Sequence, residues 1–283
     1  GFDAYTTSTV LKGSGLSSSA AFEVLIGNIL NSLFCGGKVS AVEIAKAGQF
    51  AENRYFGKGS GLMDQTASSV GGVVAIDFRD NEAPDIQKIA YPFSESGHAL
   101  CIIDTGADHA DLSDEYTAIP NEMREVAAFF GKTVLREVPE QEFLAKLPEI
   151  RANSGDRAVL RALHFYADNQ RAVTEADCLR EGNFQEFLKE VSLSGRSSIL
   201  CLQNISPAGA VRSQHVAVAL ALCEKLLNGR GAVRVHGGGF AGTVQAFVPL
   251  DLVEGFRTAI EGYLGEGCCH VLTIRPVGGV RIF

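Results

Sequence analysis

The sequence predicts an α+β fold, and three observations predict it. Apolar residues recur at helical spacing in some stretches and alternate at strand spacing in others. The two kinds of stretch do not follow a strict strand–helix–strand rhythm, which argues against a parallel α/β sheet. Beyond about residue 97 the chain becomes mostly helical, with a few strand patterns among the helices.

The elements follow in order. Residues 2–11 alternate, with Tyr5, Thr7 and Thr9 on one face, and predict a strand. A Lys-Gly-Ser-Gly turn follows. A helix is expected over 17–33, with Ala20, Ala21, Val24, Leu25 and Ile29 on its buried stripe. Ser40 and Glu43 have capping-box spacing and open a second helix running to about residue 55, with Ile44, Gly48, Ala51 and Tyr55 on its packed face. A short helix is expected over 63–69, and strands over 71–78 and 100–104. The polar, proline-bearing stretch 84–97 is the expected boundary, giving domains of 1–96 and 97–283. Helices are expected over 113–130, 155–180, 184–193, 208–228 and 252–264. Pro120 should kink or divide the first of these, and Gly182 and Gly229 suit helix ends. Strands over 233–236 and 244–248 flank a glycine run, and 271–274 alternates again.

The 283 residues are 46% hydrophobic and 20% charged, enough to bury a core without staples. The formal net charge of −8 opposes binding to nucleic acid and to anionic membranes, and favours a small-molecule partner. The seven cysteines are odd in number and contain no Cys-X-X-Cys pair, so neither a zinc site nor a disulfide framework is read from them. They are expected to be reduced, in a cytoplasmic protein. The longest apolar run, 216–223, falls far short of the ~20 residues that span a bilayer.

The strongest motif is Gly13-Ser14-Gly15-Leu16-Ser17-Ser18-Ser19-Ala20-Ala21, between an expected strand and an expected helix. Glycines let backbone N–H groups approach a ligand, and the following helix start aims unpaired N–H groups at the same spot. Such a place suits phosphate. It is neither a Walker A loop nor a dinucleotide fingerprint. A glycine pair before a helix is by itself an ordinary loop and cap. The whole run, however, closely resembles the ATP-binding motif of the GHMP kinases, in the triple-serine form of the galactokinases. Leu11 departs from the family's usual proline.

Glu52 and Asp64 are, by spacing alone, two acids among 33. Their surroundings, Ala51-Glu52-Asn53-Arg54-Tyr55-Phe56-Gly57-Lys58-Gly59-Ser60-Gly61-Leu62-Met63-Asp64-Gln65, resemble the galactokinase segment that carries a metal-binding Glu and, twelve positions later, the catalytic Asp. The resemblance implies Asp64 as the catalytic base, Glu52 and Ser19 as Mg²⁺ ligands, and Gly61 as a backbone contact to the sugar. Ser60 stands where galactokinases commonly have cysteine. The stretch from Asp108 to Tyr116 is similar to the family segment whose tyrosine touches the sugar, and His109 within it is a candidate supporting group. His236-Gly237-Gly238-Gly239-Phe240-Ala241-Gly242-Thr243 resembles the third GHMP motif, which packs beside the nucleotide loop. Ala241 replaces a glycine there, and His236 a small or hydroxyl residue.

The resemblance implies the GHMP kinase fold: a partial ribosomal-S5-like ATP-binding domain, then a ferredoxin-like α+β domain. It implies an enzyme that uses ATP and Mg²⁺ to phosphorylate the anomeric hydroxyl of galactose. It starts after the family's N-terminal motif, whose Arg assists catalysis and whose Glu-His-Asp group holds sugar hydroxyls. The expectation is therefore that this stretch alone is inactive, and that it either self-associates through an uncovered sheet edge or covers that edge with its own residues. Two other readings stay open here: a kinase for another sugar such as N-acetylgalactosamine, and a catalytically silent galactose sensor.

Overall fold

The computed structural model describes residues 1–10, 15–57, 60–80, 82–107 and 112–282. They form two units, one of Gly1–Phe78, Glu82–Ala90 and Ile274–Phe283, the other of Arg79–Asn81 and Tyr91–Thr273.

The first unit is built on three helices, α1 (Ser18–Phe34), α2 (Ala41–Tyr55) and α3 (Met63–Val70). The predicted capping box starts α2. Ser40 N donates to Glu43 Oε2 at 2.8 Å and Glu43 N donates to Ser40 Oγ at 3.2 Å. Small residues bring α1 and α2 together. A Cβ on Gly27 of α1 would sit 2.6 Å from Ile44 Cγ2, and one on Gly48 of α2 would sit 3.1 Å from Glu23 Cβ. The buried face of α2 is Ile44, Ala45, Gly48 and Glu52. Tyr55, expected on that face, is exposed and packs edge-on to Phe50. Its phase matches that face, seven residues on from Gly48, but Tyr55 is the last residue of α2, at the open end of the helix. Likewise Leu25 is exposed, while Ala20 and Val24 are buried.

A hairpin of β1 (Val73–Asp77) and β2 (Asp85–Ile89) completes this unit, in register from Val73↔Ile89 to Asp77↔Asp85. Strand β2 lies inside the stretch expected to be a linker, because its outward residues are polar and only Ile89 is fully buried. The tail closes on the end of α3. Gly72 N donates to Arg275 O at 2.8 Å, and Gly71 and Gly278 touch the facing backbone so closely that a Cβ on either would overlap it. Residues 2–10 form no strand. Alternation supplies one side of a ladder, and among the described residues no neighbouring strand pairs with it.

The second unit holds a four-stranded antiparallel sheet in the order β4-β5-β3-β6, from β3 (His98–Asp104), β4 (Ala232–Val235), β5 (Thr243–Pro249) and β6 (Cys269–Leu272). Helices connect β3 to β4 and β5 to β6, and β4 to β5 is a hairpin. That is the ferredoxin-like split βαβ topology. One sheet face carries Cys101, Ile103, Val235, Val244, Ala246 and Val248 against α8 (His215–Leu227) and α9 (Val253–Leu264). On the other, Phe247 meets Phe184 and Phe187 of α7 (Phe184–Ser197). Gly195 lets α7 approach β4: a Cβ there would lie 2.8 Å from Val233 O.

A second core joins α4 (Ser113–Phe129), α5 (Glu140–Ala145) and α6 (Leu147–Arg180) around Phe143, Ile150 and Ala162. Pro120 lies inside α4 without dividing it. The break falls instead at Gly155 of α6, φ 82°. The helix expected from 208 begins at His215. A π-helical turn, Ser198–Leu202, follows α7. No helix among the described residues is long and apolar enough to cross a membrane.

Candidate functional site

The expected phosphate loop leads into α1 in the first unit. Leu11, Gly13 and Ser14 lie outside the described residues. Gly15 takes φ 71° and Ser17 φ 53°, both left-handed. Glycine adopts this freely, whereas a serine there is strained and held by its surroundings. The first bond of α1 is Ala21 N to Ser17 O at 3.1 Å, so the N–H groups of Ser18, Ser19 and Ala20 have no partner within the helix. Ser17 gives no side-chain cap and the first turn carries no acid. In α2 the corresponding end is closed by Ser40 and Glu43. An uncapped, acid-free helix start lined by Leu16, Ser17, Ser18 and Ser19 has the donors that a phosphate group requires.

Three helices converge next to it. Glu52 of α2 and Gln65 of α3 are 4% and 1% exposed. Gln65 Nε2 donates at 3.0 Å to Glu52 Oε2 and at 3.0 Å to Glu23 Oε2 of α1. Glu23 lies one turn along α1 from Ser19, on the same face. Asp64 precedes Gln65 in the first turn of α3 and is exposed. The Gln65 link thus ties together the three helices that carry Ser19, Glu52 and Asp64. Asn53 and Gln49 fix the approach to α3 by accepting from Ser60 N at 2.7 Å and donating to Ser60 O at 3.2 and 3.1 Å. A Cβ on Gly61 would meet no described atom within 4 Å, so packing does not require glycine there. The hydroxyl of Ser19 and the carboxylate of Glu52 are hard oxygen donors suited to Mg²⁺. Among the described residues no group of three His, Cys, Asp or Glu can hold a metal. A cation here would take its other ligands from phosphate and water.

In the second unit, Tyr116 and the glycine run come together. Tyr116 OH donates to Gly239 O at 2.8 Å, and its ring meets Phe240 edge-on. Burial raises the Tyr116 hydroxyl above its ordinary range. The tyrosine braces the loop whatever else it touches, and His109 lies outside the described residues. Asn204 was not singled out by the sequence. It holds the loop from below, its O accepting from Phe240 N at 2.5 Å and its Nδ2 donating to Gly238 O at 3.0 Å. Thr105 caps the other side, Oγ1 to Gly242 O at 2.7 Å. Phe240 is left-handed at φ 59°. His236 Nδ1 lies 3.1 Å from Gln245 Oε1, a pairing across β4 and β5. Gln65 and Glu23 were also missed. Their only signals were adjacency to Asp64 and one-turn spacing from Ser19.

Residues 1–72 match the family model described as GHMP kinases N terminal domain. The structure superposes on the crystal structure of Lactococcus lactis galactokinase complexed with galactose. The TM-score is 0.75 and the identity 25%, covering 96% of this chain and 69% of that one. The chain is also 30% identical over 263 residues to a galactokinase of Actinobacillus pleuropneumoniae, across 92% of its own length. The chain is similar to galactokinases and has the GHMP kinase fold. A galactokinase of Glaesserella parasuis is 30% identical over 267 residues, across 93% of this chain. The chain spans 65% and 66% of the length of these two relatives. The GHMP kinase fold accounts for the ferredoxin-like sheet of the second unit and for the helical unit that carries the serine-rich loop.

Proposed function

We propose that the protein is an ATP-dependent sugar kinase that phosphorylates the anomeric hydroxyl of galactose. What supports this reading is the Gln65 link from Glu52 to Glu23 on α1, whose uncapped start carries Ser19, in a chain 30% identical to galactokinases. Phosphoryl transfer asks the protein mainly for positioning and charge stabilisation. In this reading the loop from Gly13 to Ser19 holds the phosphates through backbone N–H and hydroxyl groups. Ser19 and Glu52 hold Mg²⁺, which when bound offsets charge on the phosphate oxygens. Asp64 takes the proton from the anomeric hydroxyl; that oxygen bonds to the γ-phosphorus as the β–γ bridging bond breaks, leaving ADP. Gly61 in the first unit and Tyr116 in the second are each assigned to sugar binding by the family resemblance, and Gly237, Gly238 and Gly239 are assigned as a supporting glycine loop. All seven cysteines are free thiols, which fits the cytoplasm as its location.

The test has two parts. Calorimetry with MgATP on this chain should show binding that Gly15→Val abolishes, since a β-branched residue at φ 71° cannot keep the loop. ADP release with galactose is measured on this chain and on the longest polypeptide its gene encodes. In the active form, Asp64→Asn should lower kcat by roughly two to four decades while MgATP affinity stays. Near-normal kcat in that variant removes Asp64 from the role, and unaltered MgATP affinity in Gly15→Val removes the loop.

A further inference from the structure

Gln65 is buried to 1% exposure, yet among the described residues its carbonyl Oε1 has no hydrogen-bond partner. Both amide protons are committed instead, to Glu23 Oε2 and Glu52 Oε2, each at 3.0 Å. The orientation is dictated by chemistry: reversing the amide would turn Oε1 toward two carboxylates and leave three acceptors facing one another. A buried carbonyl without a partner is costly, and native proteins keep few of them. Here it is retained so that one neutral side chain can hold two acids from two other helices.

We infer that Gln65 is a positioning residue for the cation site. It fixes the Glu52 carboxylate in the orientation that receives Mg²⁺, and Glu23 is the anchor that fixes Gln65. This deepens the kinase reading and rests on its assignment of Glu52 as a cation ligand. The linkage runs across three helices. Glu23 shares a face of α1 with Ser19, the other assigned ligand, so Gln65 sets the distance between the two ligand-bearing helices. Gly48 makes room for it: a Cβ there would come 3.2 Å from Glu23 Oε2 and 3.5 Å from Gln65 Cγ. Partners that hold a metal-binding carboxylate are usually worth 10- to 100-fold in metal affinity.

The experiment measures ATP affinity of the whole chain by calorimetry, once with Mn²⁺ and once with EDTA. The ratio of the two is the metal increment. Gln65→Met keeps the length and removes both donors. It should cut the increment by about tenfold or more, leaving metal-free ATP affinity and the circular dichroism spectrum unchanged. Glu23→Ala should cut it less. Glu23→Gln keeps an acceptor for Gln65 and should restore it, a rescue that loss of packing would not show. A Gln65→Met increment equal to wild type, with Glu52→Ala lacking one, overturns the positioning role and leaves the kinase reading standing. An increment unaffected by Glu52→Ala, or absent from wild type, overturns both. If Gln65→Met does not fold, the Glu23→Ala and Glu23→Gln pair decides alone: equal increments in the two overturn the proposal.

Discussion

Three adjacent glycines, Gly237, Gly238 and Gly239, should respond to alanine in three different ways. At Gly237, φ is 67° and an added Cβ meets no described atom within 4 Å, so only left-handed strain applies, about 1–2 kcal/mol. At Gly238, φ is not in the left-handed region, but the Cβ would sit 2.8 Å from Tyr116 Cε1. At Gly239, φ is 82° and the Cβ would lie 2.1 Å from Asn204 O, a backbone atom. That oxygen cannot turn away without losing the bond from Phe240 N at 2.5 Å, and the Asn204 bond to Gly238 O goes with it. Two hydrogen bonds at about 1 kcal/mol each, added to the strain, give a loss of about 3–4 kcal/mol. Urea denaturation of the three variants measures this directly. Gly238→Ala should be rescued in part by Tyr116→Ala, whereas Gly239→Ala should not. Equal destabilisation at Gly237 and Gly239, or rescue of Gly239→Ala by Tyr116→Ala, would refute the assignment of the clash to the Asn204 backbone.

Two further predictions concern buried charge. Arg161 is 1% exposed and its Nη1 lies 2.9 Å from Glu122 Oε2, an ion pair in position although the N–H does not point along that line. Glu122→Ala should cost about 3 kcal/mol in urea denaturation, with Arg161→Met in the same background recovering part of it. A cost below 1 kcal/mol would mean that water reaches Arg161. Burial pushes Glu175 up from 4.5 to about 7, with Asp168 and Glu190 adding to the rise and Arg234 and Arg171 opposing it. Its folded form keeps a proton that the unfolded chain releases near 4.5. Stability contributed by this group is therefore complete below about pH 4.5 and falls until about pH 7, by roughly 3 kcal/mol. Glu175→Gln should flatten that slope in melting temperatures taken across the range, and an unchanged slope would place the proton elsewhere.

The helices show how far local signals reach. Reciprocal bonds between Ser40 and Glu43 start α2, and the periodicity of the chain places α1, α3, α7 and α9 within a few residues. These depend on neighbours three or four positions away, which a sequence displays. Strands depend on a partner at any distance. Alternation over 2–10 therefore misleads, and β2 hides in a polar stretch until β1 pairs with it. The serine-rich loop and the acids Glu52 and Asp64 were legible as a motif, because the phosphate and cation sites proposed for them would demand particular residue types in a particular order. What holds them was not. Gln65 reaches 13 residues back to Glu52 and 42 back to Glu23, and Asn204 reaches 34 forward to Gly238. The tail, 274–282, belongs to the first unit although residues 91–273 of the second separate them in sequence. The sequence by itself determined which groups can do chemistry and where helices start. Only the tertiary structure decided which of them touch, since contacts between distant segments follow from packing and carry no local pattern.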